Sequence, residues 1–196
     1  MMLKRGKLTI VRVGAVISYS SLAEIGERII DCFRGIISGF LLSHHNSPAV
    51  QSIDAQLLTM ILHTEYGGHT LGITDADLKT ADDDAFYNTI LGGKNPKNDV
   101  AVVSTRRLAP ETIHSNSDYQ LFISRILKVA LHEVGHNLGL TDHASFQRAS
   151  DGTLCPMSRG ESNRFGYKGY VEAVVDGRGF RFCRECTQFL NLVYKS

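Results

Sequence analysis

Twelve consecutive residues, His132-Glu133-Val134-Gly135-His136-Asn137-Leu138-Gly139-Leu140-Thr141-Asp142-His143, bring imidazoles and carboxylates to spacings that suit a metal ion. Two histidines four residues apart on a helix differ by about 40° in direction, so His132 and His136 can aim at one ion. Glu133 is turned too far round the helix to be an ideal third ligand, but it can reach a water held at that ion and take its proton. Two imidazoles with a carboxylate beside them are the equipment of zinc-dependent hydrolysis. A helix cannot offer another ligand just beyond His136 unless it turns back on itself. Gly139 can adopt positive φ at little steric cost and provides that reversal, which brings Asp142 and His143 both within reach. An ordinary helix with two solvated histidines is the plainer reading, and it leaves Gly139 without a purpose.

A second group of metal-binding residue types lies nearer the C-terminus. Of the four cysteines, Cys155, Cys183 and Cys186 fall in the last quarter of the chain, and the last two are spaced C-x-x-C. That clustering favours metal over disulfides. A redox C-x-x-C belongs between a strand and a helix in a βαβ setting, which the surrounding sequence does not show. Cys32 stands apart, on the apolar side of an expected helix, as a packing residue. His44, His45, His63, His69 and His114 lack ligand spacing, and the run Asp82-Asp83-Asp84 lacks the glycine of a calcium loop, so neither group is taken as a site.

The elements that must hold these residues follow from periodicity. Lys7 to Ile17 is rich in β-branched residues and is expected to be a strand. Ser21 and Glu24 suggest a capping box before a helix that buries Leu22, Ile25, Ile29 and Phe33 and stops at Gly35. Ile36 to Leu42 is expected to form a second strand, and Ser52 to cap a helix turning Ile53, Leu57, Met60 and Ile61 to the core. Leu71 to Thr74 and Val100 to Thr105 are expected as strands. The polar stretch between them, Asp75 to Asn98, is a long connection with a short strand at Phe86 to Leu91. Asp118 to Leu138 predicts the helix that carries the histidines, with Leu127, Leu131, Val134 and Leu138 along its buried stripe. Beyond it the tail is expected to be irregular, with a hairpin across Asp176-Gly177-Arg178-Gly179.

These expectations give an α/β fold, a twisted mixed sheet with a long zinc-binding helix and a small zinc-stabilised C-terminal lobe. Residues 1–139 form the α/β part that ends in the zinc helix, residues 140–196 form the lobe, and the whole makes a single compact domain. At 196 residues with 43% hydrophobic side chains, the chain can bury a core of its own. A formal charge of +1 argues against nucleic acid or an anionic membrane as the main partner. Arg12 breaks the N-terminal apolar run, so it reads as a strand rather than a signal peptide, and no stretch is long enough to span a bilayer. A cytoplasmic monomer is expected.

The zinc segment resembles the metzincin signature, and its wider context is similar to the archaemetzincins. Leu71-Gly72-Ile73-Thr74-Asp75-Ala76-Asp77-Leu78 and Ala101-Val102-Val103-Ser104-Thr105-Arg106-Arg107-Leu108 resemble that family's segments upstream of its zinc helix. Cys155-Pro156-Met157 resembles its cysteine and Met-turn methionine, and Cys183-Arg184-Glu185-Cys186 its C-x-x-C. The resemblance implies two zinc ions, one catalytic and one structural, and hydrolysis of peptide or protein substrates. The chain departs from the family at Asp142 and His143, where histidine and then cysteine are usual. A carboxylate is an acceptable third ligand, and His143 with Cys155, Cys183 and Cys186 would make a Cys₃His set. The competing assignment puts His143 on the catalytic ion and leaves Asp142 to orient an imidazole.

The chemistry expected is peptide hydrolysis by a zinc-activated water, with Glu133 as general base and then proton donor to the amine. A zinc-stabilised peptide- or protein-binding module with little turnover is the alternative, and hydrolysis of a non-peptide amide a third reading. Val100 to Thr105, if it were a sheet edge, could pair with an extended peptide. Met157 could equally be an ordinary core methionine, and Tyr167 and Tyr170 are read as packing groups rather than oxyanion donors.

Overall fold

The computed structural model describes residues 6–14, 17–80, 89–95, 97–159 and 166–194. Its main sheet has five strands in the order β2 (Phe40–His45), β1 (Leu8–Val13), β4 (Thr70–Thr74), β8 (Val100–Ser104) and β7 (Gly92–Asn95). The first four run parallel, and β7 pairs antiparallel with β8 at one edge. A small second sheet joins β3 (Ser52–Asp54), β5 (Asp77–Lys79) and β6 (Thr89–Ile90).

Both faces of the main sheet are buried, as the alternation of strand side chains requires. Leu8, Ile10, Leu71, Ile73, Ala101 and Val103 point to one side, where they meet α1 (Tyr19–Cys32) and α3 (Asn116–Asn137). Val11, Val13, Val100 and Val102 point to the other, against Ala55, Leu58 and Leu62 of α2 (Ala55–Tyr66). Gly72 is needed where α2 crosses β4, because a Cβ there would collide with the Leu62 side chain. The larger core continues through Cys155, Met157, Val175, Leu190 and Tyr194, so the C-terminal residues share it with the sheet.

Several sequence expectations are corrected. β1 is shorter than Lys7 to Ile17, and β2 begins at Phe40 rather than Ile36; Ile36 and Ile37 lie buried in the turn after α1. Ser18, in extended backbone, caps α1 by accepting from the Ser21 N–H, so Ser21 is inside the first turn rather than at the cap, with its hydroxyl 2.6 Å from Tyr119 Oη. Asp54, not Ser52, caps α2. Starting the helix two residues later rotates its core face onto Ala55, Leu58, Thr59 and Leu62, and leaves Leu57 and Met60 exposed. Asp82, Asp83 and Asp84 and most of the strand expected at Phe86 to Leu91 lie outside the described residues; β6 covers Thr89–Ile90. Cys32 is partly buried, and its thiol donates to the Phe180 carbonyl at 3.2 Å.

The tail is also more ordered than its composition suggests. It holds α4 (Gly166–Tyr170), a π-helical turn (Val171–Val175) and α5 (Arg184–Tyr194). The expected hairpin at Asp176 to Gly179 is absent among the described residues: Arg178 instead makes a single parallel bridge with Leu154. Arg125 and Lys128 of α3 hold this turn down, Arg125 by two bonds to the Asp176 carboxylate at 2.8 and 2.6 Å, and Lys128 by one to the Asp176 carbonyl at 2.7 Å. Two buried tethers from the zinc-segment helix thus decide the path of a stretch that lacks periodicity of its own.

Candidate metal centres

α3 starts with a reciprocal capping box between Ser115 and Asp118 and ends at Asn137, so His132, Glu133 and His136 sit in its last turns. Gly139 then adopts φ +89°. The Leu140 N–H returns to the Gly135 carbonyl at 3.0 Å, and the chain doubles back toward the histidines. Lys94 on β7 donates to the His136 carbonyl at 2.7 Å, a cation placed on the negative end of the helix dipole.

Each histidine has its tautomer set by a backbone carbonyl: His132 Nδ1 donates to Pro156 O and His136 Nδ1 to Leu140 O, both at 2.9 Å. Their Nε2 atoms therefore present lone pairs, 3.2 Å apart, and Asp142 Oδ1 lies 3.2 and 3.4 Å from them. A tetrahedral zinc with nitrogen and oxygen ligands at about 2.0–2.1 Å needs ligand separations of about 3.3–3.4 Å. The triangle fits that ion. Electrostatics point the same way: burial holds His132 down to about 4, with Arg178 adding to the effect, so it stays neutral with its one ring proton on Nδ1. Burial works against charge on His136 and Asp142 too, but their mutual attraction wins, lifting His136 and holding Asp142 well below the usual carboxylate range. Three electron-rich atoms thus converge on a point that calls for positive charge.

Glu133 is 6% exposed, and burial pushes its carboxyl up to about 7 against the pull of His136 and Arg178. Its carboxylate lies over Gly92 of β7, where a Cβ would come within 2.6 Å of Oε1. The edge strand must therefore carry glycine there. Met157 is fully buried beneath the helix, its sulfur 2.6 Å from where a Gly135 Cβ would stand.

The second cluster is thiol-rich and closed. His143 Nε2 lies 3.1 Å from Cys186 Sγ and 3.3 Å from Cys183 Sγ, and the sulfurs of Cys155 and Cys186 are 3.9 Å apart. No disulfide forms among the four cysteines. Tetrahedral zinc with sulfur at about 2.3 Å needs sulfur separations near 3.8 Å, so this set also fits. Cys186 lies in the first turn of α5, and the Cys183 N–H points at Cys155 Sγ at 3.3 Å. The hydrogen bond shared with Cys186, with help from that N–H, draws the Cys155 thiol down against its burial while the same contact raises Cys186.

Every residue singled out in the sequence is thus in one of two groups, His132, His136 and Asp142 with Glu133 beside them, or His143, Cys155, Cys183 and Cys186. His143 faces the sulfurs and not the imidazoles. Missed in the sequence were Gly92, the Pro156 carbonyl and Arg178, which is 4% exposed and donates twice to the Ser158 carbonyl at 3.0 and 2.8 Å. Only tertiary contact reveals them. Tyr167 has its side chain outside the described residues.

Residues 46–192 match the model of peptidase family M54. The archaemetzincin of Pyrococcus furiosus is 39% identical over 70 residues, a match covering 36% of this chain and 34% of that protein; the chain thus spans about a third of that relative's length. The archaemetzincin of Saccharolobus solfataricus is 30% identical over 124 residues, covering 62% of this chain and 58% of that protein. The crystal structure of archaemetzincin from Methanopyrus kandleri superposes with a TM-score of 0.70 at 22% identity, over 97% of each chain, which establishes a shared fold. With the family model covering three quarters of its length, the chain belongs to peptidase family M54.

Proposed function

We propose that this protein is a zinc-dependent metallopeptidase with two zinc ions, a catalytic one held by His132, His136 and Asp142 and a structural one held by His143, Cys155, Cys183 and Cys186. The observation that carries the reading is the triangle of two Nε2 atoms and one carboxylate oxygen at 3.2–3.4 Å with a buried carboxyl group adjacent. Zinc, when bound, supplies a Lewis acid that polarises the scissile carbonyl and acidifies water. Glu133 takes the proton of the attacking water as the new C–O bond forms, and returns it to the amide nitrogen as the C–N bond breaks.

Val100 to Thr105 cannot take a substrate strand, since β8 is paired on both sides. β7 is the free edge on that side of the sheet among the described residues, and Gly92 brings it against Glu133. A peptide laid along β7 would be delivered beside the general base by main-chain pairing. In this reading residues 1–139 build the sheet and the catalytic helix, and residues 140–196 supply the lobe with the structural ion. No helix among the described residues is long and apolar enough to cross a membrane.

Turnover of a mixed peptide library by zinc-loaded protein, compared with its Glu133→Gln variant, tests the reading. Cleavage by the parent that disappears in the variant supports it. A parent that binds zinc yet cleaves nothing refutes it in favour of a binding module.

A further inference from the structure

Arg178 is buried, carries a charge, and has no carboxylate within 4 Å among the described residues. Its guanidinium donates to the Ser158 carbonyl and, at 3.4 Å, to the Tyr170 hydroxyl, both neutral. A buried guanidinium with no carboxylate in contact is offset only at longer range, here by Glu133, Asp142 and Cys155, and this one is held in place from a distance: Asp176, two residues earlier, is clamped from α3 by Arg125 and Lys128. What the guanidinium serves is read from its two acceptors. Ser158 closes the turn whose Pro156 carbonyl orients His132. Tyr170 is half-buried, and its hydroxyl lies in the field of Arg159, Asp142 and Glu133 as well as of Arg178.

A phenol that accepts from Arg178 has its own proton directed elsewhere, and the structure gives that proton no acceptor among the described residues. We propose that Tyr170 is the hydrogen-bond donor to the oxyanion that develops on the scissile carbonyl, and that Arg178 is its positioning residue. This rests on the peptidase reading. The Tyr170 proton stays on its oxygen throughout, and only a hydrogen bond strengthens as charge moves onto the carbonyl oxygen. Burial, which raises the phenol further above its ordinary value, keeps the group a donor. Arg178 also polarises the O–H, because a phenol that accepts from a cation is a better donor.

The test uses zinc-loaded full-length protein, a peptide that the parent cleaves, and the phosphinic analogue of that peptide, whose tetrahedral anionic centre replaces the scissile amide. Tyr170→Phe should lower kcat by about 100-fold with KM within about twofold, and weaken the phosphinic peptide by a comparable factor, at unchanged zinc content and Tm. Arg178→Lys keeps the charge but cannot span both acceptors; it should lower kcat in the parent and have little further effect in Tyr170→Phe. Full kcat in Tyr170→Phe, or a loss confined to KM, overturns the donor role. Loss of zinc or of Tm in Tyr170→Phe assigns the residue to structure and overturns it as well. An equal effect of Arg178→Lys in both backgrounds overturns the positioning role. A parent that neither cleaves peptides nor binds the phosphinic analogue removes the peptidase reading together with this one, whereas a cleaving parent with an equally active Tyr170→Phe removes this one alone.

Discussion

The two ligand clusters stand side by side and are built on opposite plans. One takes nitrogen and oxygen from a helix and the turn after it, with Asp142 34% exposed at its mouth and a carboxyl group poised beside it. The other takes sulfur and nitrogen from three separate segments, with Cys155, Cys183 and Cys186 exposed by 4% or less and no carboxyl group buried among them. Water can reach the first and is shut out of the second. Ligand type alone would suggest as much, since sites that keep an open position for chemistry rarely use three thiolates. Under the proposed assignment, burial and neighbouring groups are what separate a centre that would react from one that would hold the fold.

Breaking the reactive side alone should give the largest effect. Glu133→Ala is expected to reduce turnover by about 10³-fold or more while zinc content and Tm stay as in the parent, since Glu133 is assigned to water and not to metal. Zinc analysis alongside kinetics checks this, and loss of an equivalent of zinc would contradict it. Asp142→Ala is next: the ion between His132 and His136 should bind at least about 100-fold more weakly, and the sulfur-bound ion should stay. His143→Ala should do the reverse. Site-resolved occupancy by anomalous scattering separates the two, and a His143 variant that loses the histidine-bound ion while the Asp142 variant keeps it would exchange the assignments.

Cys183→Ser breaks the other side. It should lower Tm by about 10 °C, since a lost thiolate costs a few kcal/mol of metal-linked folding energy in a chain of this size. An unchanged melting curve would rule out a structural ion. The smallest effect is expected from Gly135→Ala, which drives a methyl group into the Met157 sulfur. Overpacking of that kind costs about 1–3 kcal/mol, a few degrees in Tm, with activity falling only as His132 and His136 shift. A variant as stable as the parent would mean that Met157 yields without cost.

What the sequence made legible was the chemistry confined to a short span. His132, Glu133, His136 and Asp142 fall within eleven residues, and one glycine at positive φ joins helix to ligand, so local rules suffice. The strands at Leu71 and Val100 were legible because short, nearly continuous apolar runs are what a sheet buried on both faces needs. The frame of α2 was not. Leu57, Met60 and Ile61 make as good a stripe as Ala55, Leu58 and Leu62, and only the choice of Asp54 over Ser52 as cap decides between them. Arg178 was hidden for a different reason. In Asp176-Gly177-Arg178-Gly179 it resembles any exposed turn cation, and what buries it are contacts from α3 and Ser158, which are distant in sequence.

Asp142 and His143 are neighbours in the chain yet belong to different clusters, and Cys155 and Pro156 repeat the arrangement, one offering a sulfur and the other the carbonyl that orients His132. Two covalent links of a single residue step leave neither centre able to relax without disturbing its neighbour. In the proposed two-ion reading, filling either site would pre-order part of the other, and by reciprocity each ion would raise the affinity for its companion by the same factor. If both proposed ions bind, zinc titration of the apoprotein should then rise somewhat more steeply than two independent sites allow, while a variant that has lost one ligand set still loads the other, only less tightly.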